Sequence, residues 1–303
     1  VFRISPMWWV AMGIYLWRRG LGPRDWVPDG ITLSDIFLTA LGAHGWHPSL
    51  VNAVVPIGWS VGVELSFYLL FPILVVAIYS IPRAVIFILV ALGISILWRP
   101  WIISFMQGSL PETTHYVSIV RTFSGYMSLP PQLVVFGFGF LTYHIFKRTG
   151  PESSQKSGRI MLGISLLLYV LAAHNEIRAI MVKVAHSMVI YGTIYLFFSL
   201  GVLCARPRIF DNAVTRWVGK VSYSAYLLHM WIIWQLQSGH WAQAAYPIHG
   251  DLEFCITLLA VLCLTVTASS ITYRVIELPM MRLGSFYSRR IANGELKMPR
   301  WRK

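Results

Sequence analysis

Charge is what this sequence has least of. Only 12% of its 303 residues are charged, against about 25% in an ordinary globular domain. Acidic residues are scarcer still, at 12 Asp and Glu against 25 Lys and Arg. Cysteine is nearly absent as well. Cys204, Cys255 and Cys263 each lie in an apolar run with no metal-ligand spacing, which reads as buried free thiols and excludes a disulfide framework. There is no Walker loop, Gly-rich dinucleotide fingerprint, His-Glu-x-x-His or nucleophile elbow. Their absence argues against ATP-driven and zinc-protease chemistry. No fixed-period repeat and no low-complexity tract occurs.

Apolar residues fill the space that charge leaves. They make up 56% of the chain, and mean hydropathy is +0.61. A soluble fold of this size has no interior large enough for them. The chain reads as an all-α, polytopic transmembrane helix bundle with about eight spans. These fall near 5–17, 58–80, 84–105, 131–146, 159–174, 187–205, 221–238 and 254–276. The first, fourth and fifth are short for about 30 Å of hydrocarbon at about 1.5 Å per residue.

The basic residues test this map. If Val1 is cytoplasmic and each span reverses direction, 18 of the 25 Lys and Arg fall inside and the other 7 outside. The positive-inside rule predicts that asymmetry, and it places both ends of the chain in the cytoplasm of an inner or plasma membrane. The net charge of +13 therefore reads as membrane topology and not as nucleic-acid binding, because the basic residues flank apolar runs. Residues 1–282 form the membrane domain, and 283–303 a basic cytoplasmic tail on the anionic lipid surface or disordered. The two longest outside loops are 18–57, where Ser34 is placed to cap a short helix, and 106–130.

One carboxylate stands alone. Glu64 is the only formally charged residue between Asp35 and Arg83. A charge at mid-bilayer costs roughly 2.5–3.5 kcal/mol on insertion scales, so such a residue faces a cavity or a partner. Ser60 is placed to cap the helix, which sets Glu64 about one turn in, near the outer end. Ser222, Tyr226 and His229 fall at i, i+4 and i+7, a polar stripe on an apolar helix. His229 is a proton shuttle or a hydrogen-bonded packing residue. Arg3 is a positive-inside anchor or a contact for an anionic cosubstrate. Arg274 and Glu277, three apart, read as a pair at a helix end closed by Pro279. His44 and His47, also three apart, are a weak metal signal, and no metal is expected.

Taken together, four segments resemble one family. They are Arg3-Ile4-Ser5-Pro6-Met7-Trp8-Trp9; Trp59-Ser60-Val61-Gly62-Val63-Glu64-Leu65-Ser66-Phe67-Tyr68; Ser222-Tyr223-Ser224-Ala225-Tyr226-Leu227-Leu228-His229; and Tyr273-Arg274-Val275-Ile276-Glu277-Leu278-Pro279. The sequence resembles the acyltransferase-3 family of integral membrane acyltransferases, many of which O-acetylate bacterial surface polysaccharides. The Glu64 block is the most specific piece.

The resemblance implies about ten helices in a complete member, acyl-CoA as cosubstrate and a glycan or lipid-linked sugar as acceptor, with membrane lipids around it. It implies catalytic roles for Glu64 and His229 and a donor-binding role for Arg3. Trp59, Ser60, Tyr68, Ser222 and Tyr223 become substrate-binding residues. The family's presumed catalytic histidine lies on a helix ahead of the Arg3 element, and no position here matches it. The expectation is an N-terminally truncated member. The alternatives are a proton-coupled transporter or flippase of a glycan or acyl group, or a non-catalytic fragment. The transporter would need the same intramembrane carboxylate.

Overall fold

The computed structural model describes residues 2–107, 114–149, 155–184, 186–238 and 251–293. Among them, regular structure is helical, apart from an isolated bridge between Arg24 and Val27. The helices are α1 (Ser5–Arg19), α2 (Leu33–Ala40), α3 (Trp59–Ala77), α4 (Ile81–Gln107), α5 (Thr114–Thr122), α6 (Leu129–Thr149), α7 (Gln155–Ala173), α8 (Asn175–Val184), α9 (Ser187–Ala205), α10 (Ala213–Ser238), α11 (Asp251–Thr272) and α12 (Leu278–Ala292). A 3₁₀ turn covers Ala43–Trp46, and π-helical turns cover Phe123–Met127 and Tyr273–Glu277.

Each expected span is a helix. The two short middle spans lengthen to Leu129–Thr149 and Gln155–Ala173, and Pro130 and Pro131 are tolerated because they sit in a first turn. Six stretches are long and apolar enough to cross a membrane, and only 11–33% of each apolar window is buried. Leu69, Ile73, Val76, Leu89 and Leu97 point outward, as lipid-facing side chains do. The 15-residue α1 and the more polar α10 do not meet that criterion. They are also the helices that line the site described below. An interior helix needs less apolar surface, because its polar groups find partners in the bundle.

Packing arranges α4 on α6, α6 on α9 and α9 on α7, while α10 pairs with α11. The core around α1 follows helical spacing: Ile4, Met7, Trp8, Ala11, Met12 and Tyr15 are buried against Val54, Val55, Val61, Leu227 and Ile232. α1 and α10 run parallel. Tyr223 donates to the Ile4 carbonyl (3.0 Å) and Arg18 to Gln235 (3.4 Å), so both helices start at one end, here the Arg3 end, and finish at the other, the Arg19 end.

The segment between α1 and α3 departs from expectation. It was read as an outside loop, yet it returns into the bundle alongside α1. Trp8 Nε1 donates to the Thr39 carbonyl (2.8 Å) and Trp9 Nε1 to that of Ala40 (3.0 Å). The His44 ring stacks on Trp8 with centroids 4.8 Å apart. Two glycines allow the seating: a Cβ on Gly45 would stand 2.8 Å from the Gly62 backbone. Trp8 lies about 11 residues before Arg19, or about 16 Å of helix. α3 therefore starts deep in the bundle, beside Trp8.

Other local expectations shift. Thr32, not Ser34, caps α2 in a reciprocal capping box with Asp35. The 106–130 loop contains α5 and a π-helical turn, although Glu112 lies outside the described residues. Pro279 opens α12 instead of closing the preceding helix, so residues 283–292 are helical and not a free tail. Cys204 is buried, but Cys255 and Cys263 are exposed on α11.

Candidate active site

α3 begins at an unusual joint. Ile57 has φ +60°, a left-handed conformation that is strained for a β-branched residue. Its carbonyl accepts from the Tyr226 hydroxyl (2.6 Å), which helps hold the joint. Gly58, not Ser60, occupies the cap position. Ser60 instead donates to Tyr226 Oη (2.7 Å), tying α3 to α10.

Ser60, Glu64 and Tyr68 are spaced i, i+4 and i+8, so they share one face of α3. The Tyr68 hydroxyl donates to Glu64 Oε1. Because α3 starts beside Trp8 and runs toward the Arg3 end, Glu64 does not lie near the outer end of the bundle, as cap and spacing suggested. It lies toward the end where Arg3 is. The reason is the inward course of residues 20–58, which no periodicity in that segment announces.

Arg3 is half-exposed, with its Nε 3.7 Å from Oε2 of Glu277, whose side chain is fully buried. Arg3 also donates to the Lys220 carbonyl (3.4 Å). Ser224 donates to Glu277 Oε1. This overturns the expected Arg274–Glu277 pair. The intervening turn is π-helical, which moves residues three apart off a common face. Arg274 turns to the Trp217 ring at 5.3 Å instead.

Tyr223 lies close enough to both carboxylates to feel their charge. Its hydroxyl bonds to Ile4, and Glu64, Glu277 and Arg3 all act on it electrostatically. Arg3 acts on Tyr68 as well. The structure thus brings together Arg3, Glu64, Tyr68, Tyr223, Ser224 and Glu277. Ser222 is separated from them. It is exposed and bonds back to the Gly219 carbonyl of its own helix (3.0 Å).

The polar stripe of α10 is Tyr223, Tyr226 and His229, three residues apart, not the Ser222-led set. His229 Nδ1 stands 2.6 Å from the Tyr226 carbonyl. A carbonyl only accepts, so Nδ1 carries the proton and Nε2 is left with a free lone pair. One turn on, α1 reaches the backbone of α10. The buried Tyr15 hydroxyl donates to the Leu227 carbonyl (2.9 Å) and accepts from the Trp231 amide (3.1 Å). Those two backbone groups bond each other in an unbroken α-helix. Trp59, at the start of α3, meets Tyr126 edge-on at 5.7 Å and faces away from the Arg3 cluster.

His44 packs inside the bundle. It is buried, its Nε2 donates to the Gly58 carbonyl (3.0 Å), and burial lowers its pKa to about 4. Burial also lowers the pKa of His47. Among the described residues no three His, Cys, Asp or Glu side chains gather as a metal site would require.

Three residues that hold the candidate site together are not legible as such in the sequence. Ser224 lies inside the Ser-Tyr-Ser segment, but its helix alone does not say which serine turns inward. Glu277 reads as half of a helix-end pair with Arg274, whereas its ion-pair partner is Arg3. Tyr15 carried no signal beyond being a tyrosine on an apolar stripe.

A family model described as an acyltransferase domain, acyltransferase-3, matches residues 4–274. The chain belongs to that family. With its membrane-crossing helices, it is a membrane acyltransferase domain. Arg3 and Glu277 fall just beyond the two edges of the matched stretch. No curated protein and no solved structure matches the chain.

Proposed function

We propose that this chain transfers an acyl group, acetyl in the first instance, from acyl-CoA to a hydroxyl of a cell-surface glycan or lipid-linked sugar. The observation that supports it most is the convergence of Arg3, Glu64, Tyr68 and Tyr223 at one end of the bundle. That end also carries Lys147, Arg148, Arg206, Arg208, Arg216 and Lys220 at helix termini. By the positive-inside rule it is the cytoplasmic end, the side where acyl-CoA is available.

In this reading the Arg3 guanidinium binds donor phosphate, for which its planar fork is suited. The acceptor oxygen attacks the thioester carbonyl carbon. A C–O bond forms, the C–S bond breaks, and CoA leaves as the thiol once its sulfur is protonated. The hydroxyl proton needs an acceptor. His229 Nε2 is in the right tautomer, and Glu64 is a second carboxylate acceptor on the facing helix. Tyr68 and Tyr223 stand beside these groups, and either hydroxyl serves the developing oxyanion only by giving up its present acceptor, Glu64 or the Ile4 carbonyl.

The test is transfer of labelled acetyl from acetyl-CoA to glycan in membranes holding the full gene product. Glu64→Gln is expected to lower transfer by roughly 100-fold or more, the range of a lost general acid or base. Wild-type transfer by that variant would remove Glu64 from the chemistry. Label that crosses the membrane without becoming bonded to an acceptor would support the transporter reading instead.

A further inference from the structure

At the Arg19 end, opposite the Arg3 cluster, a cavity of about 270 Å³ lies between the ends of α4 and α9 and the π-helical turn before α6. Its lining includes Ser95, Arg99, Ser124, Tyr126, His186 and Tyr191. The volume is near the lower edge of small-molecule pockets, about 300–1,000 Å³, and suits a single ring better than a lipid tail. The cavity of about 430 Å³ between α7 and α9, by contrast, is lined almost wholly by Leu, Ile, Tyr and Phe.

We propose that this cavity is the acceptor subsite and takes the ring of an acidic sugar, its carboxylate on Arg99. The proposal rests on the acyltransferase reading and names its acceptor class.

Four observations carry it. Arg99 is exposed to the cavity, and no carboxylate among the described residues lies within ion-pair distance of it. Its guanidinium fork matches a carboxylate in two parallel bonds. His186 caps α9, with Nδ1 accepting from the Met188 amide (3.3 Å). Nε2 therefore carries the proton and is a donor. Burial, then the charge of Arg99, lowers the pKa of His186. Ser95, Ser124 and Ser187 add hydroxyls, and Tyr126 and Tyr191 add ring faces, the mixture that a sugar ring's polar edge and apolar face require. Last, the cavity adjoins the path to α3. Tyr126 lines it and meets Trp59 edge-on at the first turn of α3. A π-helical turn shapes that wall, and such turns recur at functional sites.

The experiment is equilibrium binding to the purified full chain in detergent micelles, using methyl glucuronide, methyl glucoside and glycerol 3-phosphate as probes. Methyl glucuronide should bind roughly tenfold or more tightly than methyl glucoside, about 1.4 kcal/mol. Arg99→Gln should abolish that preference and Arg99→Lys should retain part of it. Glu64→Gln should leave it unchanged, because this site is separate from the Arg3 cluster. That arm also keeps the two readings apart: loss of transfer by Glu64→Gln tests the chemistry, and sugar preference tests the cavity. Equal affinity for the two sugars, no binding by the wild-type chain, or an unchanged Arg99→Gln would overturn the proposal. Glycerol 3-phosphate binding as tightly as methyl glucuronide would overturn it too, by making the cavity a lipid-headgroup site.

Discussion

Two buried residues have consequences that can be measured. Glu277 is fully buried and holds Ser224 and Arg3. Ser224→Ala removes the hydroxyl donor to Glu277 Oε1, and losing one hydrogen bond at a buried polar group costs roughly 1–3 kcal/mol. Thermal unfolding in detergent should show a loss of that order, whereas Ser222→Ala, on an exposed face, should change nothing. His44 sets a pH dependence. Its usual value is near 6.5, and burial lowers it to about 4. The unfolded chain takes up that proton first, so the contribution is whole above about pH 6.5 and is lost as pH falls toward about 4. The full window corresponds to about 3 kcal/mol. Melting curves from pH 7 to pH 4 should decline less steeply in His44→Gln than in wild type, and parallel declines would contradict the assignment. At this scale the sequence was partly legible. Glu64 stood out because charge is costly in an apolar run. The partner of Glu277 did not, since it depends on a π-helical turn that has no spacing signature.

Among the elements, the returning segment 20–58 matters most. It seats on α3 through Gly45 and Gly62, where a Cβ on Gly62 would stand 2.7 Å from the Gly45 Cα. Gly62→Ala must push the segment away from α3 and should lower both stability and transfer. Gly93→Ala on α4 meets nothing within 4 Å and should stabilise by about 0.5–1 kcal/mol through helix propensity. Similar melting shifts in the two variants would show that the close seating is not required. The helices themselves were legible, because their apolar runs are long and bounded by Arg, Lys, Pro and Gly. The inward path of 20–58 was not. A hydropathy pattern reports that a segment is too polar to span, and says nothing of how far it dips. That omission put Glu64 at the wrong end of the bundle.

For the whole molecule, the arrangement ties topology to chemistry. Basic residues gather at the end where α1 and α10 begin, and α12 meets the start of α1 there, with Tyr287 stacked on Phe2 at 6.3 Å. α12 exposes Leu283, Phe286 and Tyr287 beside Arg282, Arg289 and Arg290, the composition of a helix lying on an anionic membrane surface. In a chain lacking Cys204, Cys255 and Cys263, Asp29→Cys should react with an impermeant thiol reagent in intact cells. Arg208→Cys should react only after the cells are opened. The most direct measurement is acyl transfer in sealed vesicles of known orientation, with labelled acetyl-CoA added outside. The account predicts transfer in inside-out vesicles, none in right-side-out vesicles, and loss of transfer in inside-out vesicles carrying Glu64→Gln. Transfer from right-side-out vesicles, or full transfer by Glu64→Gln, would contradict a donor site at the Arg3 end.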